Sequence, residues 1–167
     1  MNEKAKIAVL VSGGGTNLQA IIDAEKTGII KSGKVELVIS NNADAYALKR
    51  AESAGIETLV VLRKSYAGRS EFEQAVISAL DEHGIDLIIL AGFMCILSRD
   101  FTDHYKRRII NVHPSLIPSF CGEGYYGLRV HEGCFEGSAH LAVSLLSVLN
   151  SRLTMILRGR LLRTACS

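Results

Sequence analysis

The chain has 167 residues, the length of one domain with a single core. Hydrophobic residues make up 48% and charged residues 22%, the balance expected of a soluble globular chain and not of a disordered one. The net charge of +2 is too small for a strongly basic surface, so neither nucleic acid nor a membrane is an expected partner.

The charge is unevenly spread. Residues 1–137 hold all 17 acidic groups and 15 of the 19 basic ones, whereas residues 138–167 hold four arginines and no acid. That step divides the chain into a core, 1–137, and a leucine- and arginine-rich tail, 138–167. None of Cys95, Cys121, Cys134 and Cys166 is paired at C-x-x-C spacing, so no metal site and no redox dithiol is expected. No signal peptide opens the chain, and no run reaches the ~18 apolar residues of a membrane span. A cytoplasmic protein with free thiols is the expectation.

In chain order, Lys6–Val11 is a continuous apolar run and reads as a strand buried on both faces. A glycine turn and a helix from Thr16 to Lys26 follow. Val35–Ser40 reads as a second strand, and Asp44–Ala54 as a helix stopped by Gly55. Thr58–Leu62 is a third strand. Ser70 reads as an N-cap, with Glu73 completing a capping box, and the helix it opens runs to His83. Ile85–Ala91 is the strongest buried-strand candidate. Ser98–Arg107 reads as a short helix and Ile109–Val112 as a fifth strand. Alternating strands and helices predict an α/β fold, a Rossmann-like parallel sheet with helices on both faces. In such sheets ligands bind at the carboxyl ends of the strands, here Ser12–Asn17, Ala91–Leu97 and Asn111–Gly127.

Two of those segments carry recognisable chemistry. Ser12-Gly13-Gly14-Gly15-Thr16-Asn17 joins the first strand to the first helix. Its glycines let backbone amides approach a ligand, and the helix N-terminus favours an anion. It is neither a P-loop nor G-x-G-x-x-G, and Ser40-Asn41-Asn42 puts no acid where a ribose is held. The loop reads as a phosphate cradle, with a plain tight turn as the alternative. Asn111-Val112-His113-Pro114-Ser115 follows the last strand. Asn111 and His113 are two apart and share a strand face, so an amide donor stands beside a group that titrates near neutrality. That pair suits attack on a carbonyl-like carbon, Asn111 holding an oxyanion and His113 moving protons. A histidine that merely ends a strand is the bland alternative. His83 reads as a helix C-terminal charge, and His104, His131 and His140 lack metal-ligand spacing.

These segments resemble the folate-dependent phosphoribosylglycinamide formyltransferases. The likeness is carried by Ser12–Ile21, Ser40–Ala45, Leu90–Met94, Ile110–Leu116, Phe120–Gly127 and His131-Glu132, in that order, and covers residues 5–137. It implies formyl transfer from 10-formyltetrahydrofolate, a cosubstrate, to the amine of glycinamide ribonucleotide, in purine synthesis. By the same resemblance Gly15, Thr16 and Asn17 hold the nucleotide phosphate. Arg69 and Met94-Cys95-Ile96-Leu97 line the folate site together with Asn111, and Asn111 and His113 are the catalytic pair. The expected partners are these small molecules, with a monomer or homodimer as the assembly. A relative acting on methionyl-tRNA, a formyltetrahydrofolate deformylase, and an inactive nucleotide- or folate-binding remnant are the alternatives. Family members often carry arginine where Cys95 stands.

After Gly137 the resemblance ends. Family members continue there into a strand and a loop bearing an essential aspartate, while residues 138–167 contain no Asp or Glu. Leu141, Leu145, Leu149, Leu153, Leu157 and Leu161 recur every four residues, a spacing that drifts about 40° per step round a helix and forms no single face. The C-terminal part is therefore expected to be truncated or replaced, as by translation in a shifted frame, with little or no turnover as the consequence.

Overall fold

The computed structural model describes residues 4–112. His113, Phe120–Gly127, His131 and the whole tail, 138–167, lie outside the described residues.

The described chain alternates strand and helix throughout. Strand β1 spans Ala5–Val11, helix α1 Thr16–Lys26, β2 Gly33–Ser40, α2 Tyr46–Ser53 and β3 Glu57–Val60. A short 3-10 turn, Arg63–Ser65, leads to α3, Arg69–Glu82, and then come β4, Leu87–Ala91, α4, Arg99–His104, and β5, Ile109–Val112. The five strands form one parallel sheet in the order β3-β2-β1-β4-β5.

The core has two layers, one on each face of that sheet. Ile7, Val9 and Val11 of β1 pack with Leu18, Ile21 and Ile22 of α1 and with Ala47 and Ala51 of α2. On the other face Ala8 and Leu10 pack with Phe72, Val76 and Leu80 of α3 and with Phe101 and Tyr105. Every apolar residue of β1 is thus inaccessible to solvent, which explains why its sequence is a continuous hydrophobic run rather than an alternating one. Burying side chains of this size contributes about 1.5–3 kcal/mol each. Helix spacing matches: Leu18, Ile21 and Ile22 of α1, and Phe72, Val76, Ala79 and Leu80 of α3, each fall on one face.

Two helix starts differ from expectation for physical reasons. Helix α2 starts at Tyr46 rather than Asp44, because the Asn42 side chain accepts the Asp44 amide at 3.0 Å and holds the preceding residues in a turn. Gly55 does follow its end, with φ +72. Helix α3 starts at Arg69, with Gly68 at the cap and no side-chain cap bond, so Ser70 is not its N-cap. The capping box fails because the Glu73 carboxylate is taken by Arg69 and Ser98 instead. Ser98 is a true cap: its hydroxyl accepts the Phe101 amide at 3.2 Å and opens α4.

Strands β2 and β3 branch from β1 to one side, and β4 and β5 to the other. The carboxyl ends of β1 and β4 therefore form a topological switch point, the usual place for a ligand in such a sheet.

Candidate active site

The glycine loop leaves β1 at this switch point. Gly15 sits at the cap of α1 with φ 73 and ψ 29, the left-handed region. A Cβ there would lie 2.6 Å from the Ala47 Cβ, so a larger residue is excluded by packing as well as by backbone. Gly13 and Gly14 are exposed, with no heavy atom within 4 Å of where a Cβ would stand.

Three consecutive carbonyls of the loop are engaged from one direction. The Ser12 carbonyl accepts from Asn42 Nδ2 at 3.3 Å, that of Gly13 from the Ala47 amide at 3.0 Å, and that of Gly14 from Arg50 Nε at 2.9 Å. All three donors belong to α2 or the turn before it. In a trans peptide the N–H points opposite the C=O. The Gly13, Gly14 and Gly15 amides are therefore turned away from α2, and no acceptor among the described residues takes those of Gly14 and Gly15. The first-turn amides of Thr16 and Asn17 follow, at a helix end where intrahelical acceptors are lacking. Such a row of amides suits an anion.

Across the switch point the segment after β4 is tied to the same loop. The Ser12 hydroxyl accepts the Met94 amide at 2.7 Å. From Phe93 to Leu97 the side chains alternate. Phe93, Cys95 and Leu97 pack against the α3/α4 core, whereas Met94 and Ile96 are 78% and 88% exposed. Asn41 donates from Nδ2 to Cys95 Sγ at 3.0 Å, joining the ends of β2 and β4. The expected folate segment is thus two outward apolar side chains on an inward-anchored strap.

Arg69 opens α3, and its half-exposed side chain is paired. Its Nε meets Glu73 Oε1 at 2.9 Å, and Glu73, 5% exposed, also accepts the Ser98 amide at 2.7 Å and the Ser98 hydroxyl. Burial pushes the Glu73 carboxyl up, but the bonds from Ser98 and Arg69 outweigh it and hold the group below the usual glutamate range. Glu73 so fastens the start of α3 to the end of the Met94–Leu97 segment. Asn111 is exposed in β5 and pairs in register with Leu90, one residue before the end of β4. It therefore lies at the same edge as the glycine loop and the Met94 segment.

Elsewhere, His83 ends α3, its Nδ1 against the Ala79 carbonyl at 2.7 Å and its Nε2 against Glu57 at 3.2 Å. A hollow of about 370 Å³ lined by Glu25, Lys34, Glu36 and Glu57 lies at the amino ends of β2 and β3, away from the switch point. No helix among the described residues is long and apolar enough to cross a membrane. Among them, no three His, Cys, Asp or Glu side chains are grouped to hold a metal ion.

Gly15, Thr16, Asn17, Arg69, Met94–Leu97 and Asn111, the candidates that the sequence offers, gather along one end of the sheet. Asn42, Ala47, Arg50 and Glu73 support these residues but are not marked in the sequence. Each acts through a contact with another element, and no linear motif marks such a contact.

A parallel α/β domain with an amide-lined glycine loop at its switch point is the class that fold and site define. A formyl transferase family model matches residues 5–140. The chain is 46% identical over 130 residues to the phosphoribosylglycinamide formyltransferase of Escherichia coli (strain K12), covering 78% of this chain and 58% of that protein. It is 47% identical over 128 residues to the one of Haemophilus influenzae, covering 77% and 60%. Among solved structures it is similar to the phosphoribosylglycinamide formyltransferase of Coxiella burnetii in complex with CHES, at 44% identity and TM-score 0.69, covering 80% of this chain and 60% of that one. The chain belongs to the formyl transferase family. It spans about 58–60% of the length of these two curated relatives.

Proposed function

We propose that the chain carries the substrate-binding core of a phosphoribosylglycinamide formyltransferase, which moves a formyl group from 10-formyltetrahydrofolate to the amine of glycinamide ribonucleotide. The observation that carries this reading is the glycine loop at the switch point, whose Ser12, Gly13 and Gly14 carbonyls are held back and whose amides are thereby turned away from α2. The amides of Gly15, Thr16 and Asn17 take the nucleotide phosphate. A phosphate there selects a small phosphorylated acceptor, and the likeness to phosphoribosylglycinamide formyltransferases supports glycinamide ribonucleotide as that acceptor.

The folate brings the formyl group and is held by this chain's own residues. Met94 and Ile96 offer exposed apolar surface to a flat ring, and the backbone of Met94, Cys95, Ile96 and Leu97 offers hydrogen-bonding groups beside it. Arg69, kept in place by Glu73, supplies a cation for the donor's acidic end. Asn111 donates an amide hydrogen bond to the carbonyl oxygen as it gains negative charge. His113 receives the proton that the acceptor amine loses and delivers it toward the leaving nitrogen. The family match runs to residue 140, and residues 138–167 contain no carboxylate, so that segment offers His113 no acidic partner. Turnover by this chain is therefore expected well below that of the longer relatives.

Titration of the purified chain with glycinamide ribonucleotide and with its dephosphorylated nucleoside tests the reading. Tighter binding of the phosphorylated form is expected. Equal affinity for the two contradicts it.

A further inference from the structure

We infer that Arg50 is a positioning residue for phosphate recognition, acting on the glycine loop from behind without touching the ligand. This rests on the reading of that loop as a phosphate cradle. Of the three carbonyls held back, those of Ser12 and Gly13 are held by a neutral amide side chain and a backbone amide. Only the Gly14 carbonyl is held by a charged group, Arg50 Nε at 2.9 Å. The peptide it grips is the one whose N–H belongs to Gly15, the first amide of the cradle.

Arg50 is itself fixed by two further contacts. Its Nη1 donates to Gln19 Oε1 at 3.2 Å, and the Gln19 Nε2 donates onward to Asp23 Oδ1 at 3.0 Å. The guanidinium carbon lies 5.0 Å from the centroid of the Tyr46 ring. The same side chain thus spans from α2 to the loop and to α1, and it is half-buried between them.

Two effects follow from that geometry. The first is orientation. A peptide whose carbonyl is clamped cannot rotate, so the Gly15 N–H stays aimed at the ligand before the ligand arrives. Glycine loops otherwise lose much conformational freedom on binding, and a preset loop avoids that loss. The second is polarisation. A cation bonded to the carbonyl draws electron density from the peptide and makes its N–H a stronger donor to an anion. On the cradle reading both effects act at the phosphate, the group that this reading places on these amides.

The test uses the 167-residue chain and two ligands, glycinamide ribonucleotide and its dephosphorylated nucleoside, titrated against wild type, Arg50→Met and Arg50→Lys. Arg50→Met is expected to weaken the phosphorylated ligand about tenfold and leave the nucleoside unchanged. Arg50→Lys keeps the charge and the stem but loses the rigid fork, and an intermediate loss of about threefold is expected. It also carries the test should Arg50→Met fail to fold. A wild-type ratio of the two affinities in either folded variant overturns the inference. So does an equal loss for both ligands, which marks a general structural role. A wild type without preference for the phosphorylated ligand removes the cradle reading and the inference together, and is seen before any variant is made.

Discussion

A side chain at position 15 meets two obstacles at once: a φ of +73 and an Ala47 Cβ only 2.6 Å away. Backbone strain in the left-handed region costs about 1–2 kcal/mol for an ordinary residue, and the overlap with α2 adds to it. Gly15→Ala is expected to lower stability by at least about 2 kcal/mol and to abolish the preference for a phosphorylated ligand, as read by thermal melting and by titration. At the other end of the sheet His83 makes a different prediction. The Ala79 carbonyl and the Glu57 carboxylate both favour its protonated ring and push its pKa above the ordinary histidine value. A raised folded value means that the stabilisation is complete below the ordinary pKa and disappears as pH rises through the raised one. Denaturant melts at about pH 5.5 and about pH 8.5 should show wild type losing stability relative to His83→Gln at the higher pH, whereas parallel changes would contradict the assignment. Single residues were legible in the sequence where a motif is contiguous, as at Gly15 to Asn17. Arg50 was not, because its bond to Gly14 crosses 36 positions and looks in sequence like one more helix charge.

Among the elements, α4 depends most on one residue. Ser98 caps it through Phe101 and also links it to Glu73 and so to Arg69. Ser98→Ala removes a cap, worth about 1 kcal/mol. It also takes the hydroxyl donor from a buried carboxylate, a further loss of about 1–2 kcal/mol. Denaturant unfolding is expected to show the sum, and Ser98→Thr to recover most of it; a surface-like effect for the alanine variant would show that the Glu73 link carries no energy. Strands β1 and β4 were readable because burial on both faces leaves them apolar throughout from Ile7 and from Leu87 onward. Helix starts were less so. At α3 the Ser-x-x-Glu spacing matched a capping box, yet tertiary bonds claimed the glutamate.

At the scale of the molecule, the sheet order puts the glycine loop after β1 and the strap after β4 side by side, and Asn111 at the end of β5 close to them. That convergence follows from the parallel βαβ pattern, which alternation along the sequence already predicted. Right-handed crossovers tie the strand order to the face that each helix covers, and that order is not written in any one segment. The chain's match to the family and its span of under two thirds of the two curated relatives compared together define the question that matters for function. The measurement that meets it most directly is formyl transfer to glycinamide ribonucleotide from 10-formyltetrahydrofolate, run on this chain, on a chimera carrying a relative's C-terminal segment, and on each with His113→Ala. The account predicts turnover by this chain well below that of the longer relatives, transfer restored in the chimera, and its loss on replacing His113. A folded chimera that binds the ribonucleotide but transfers no formyl group, or transfer that persists without His113, would contradict it.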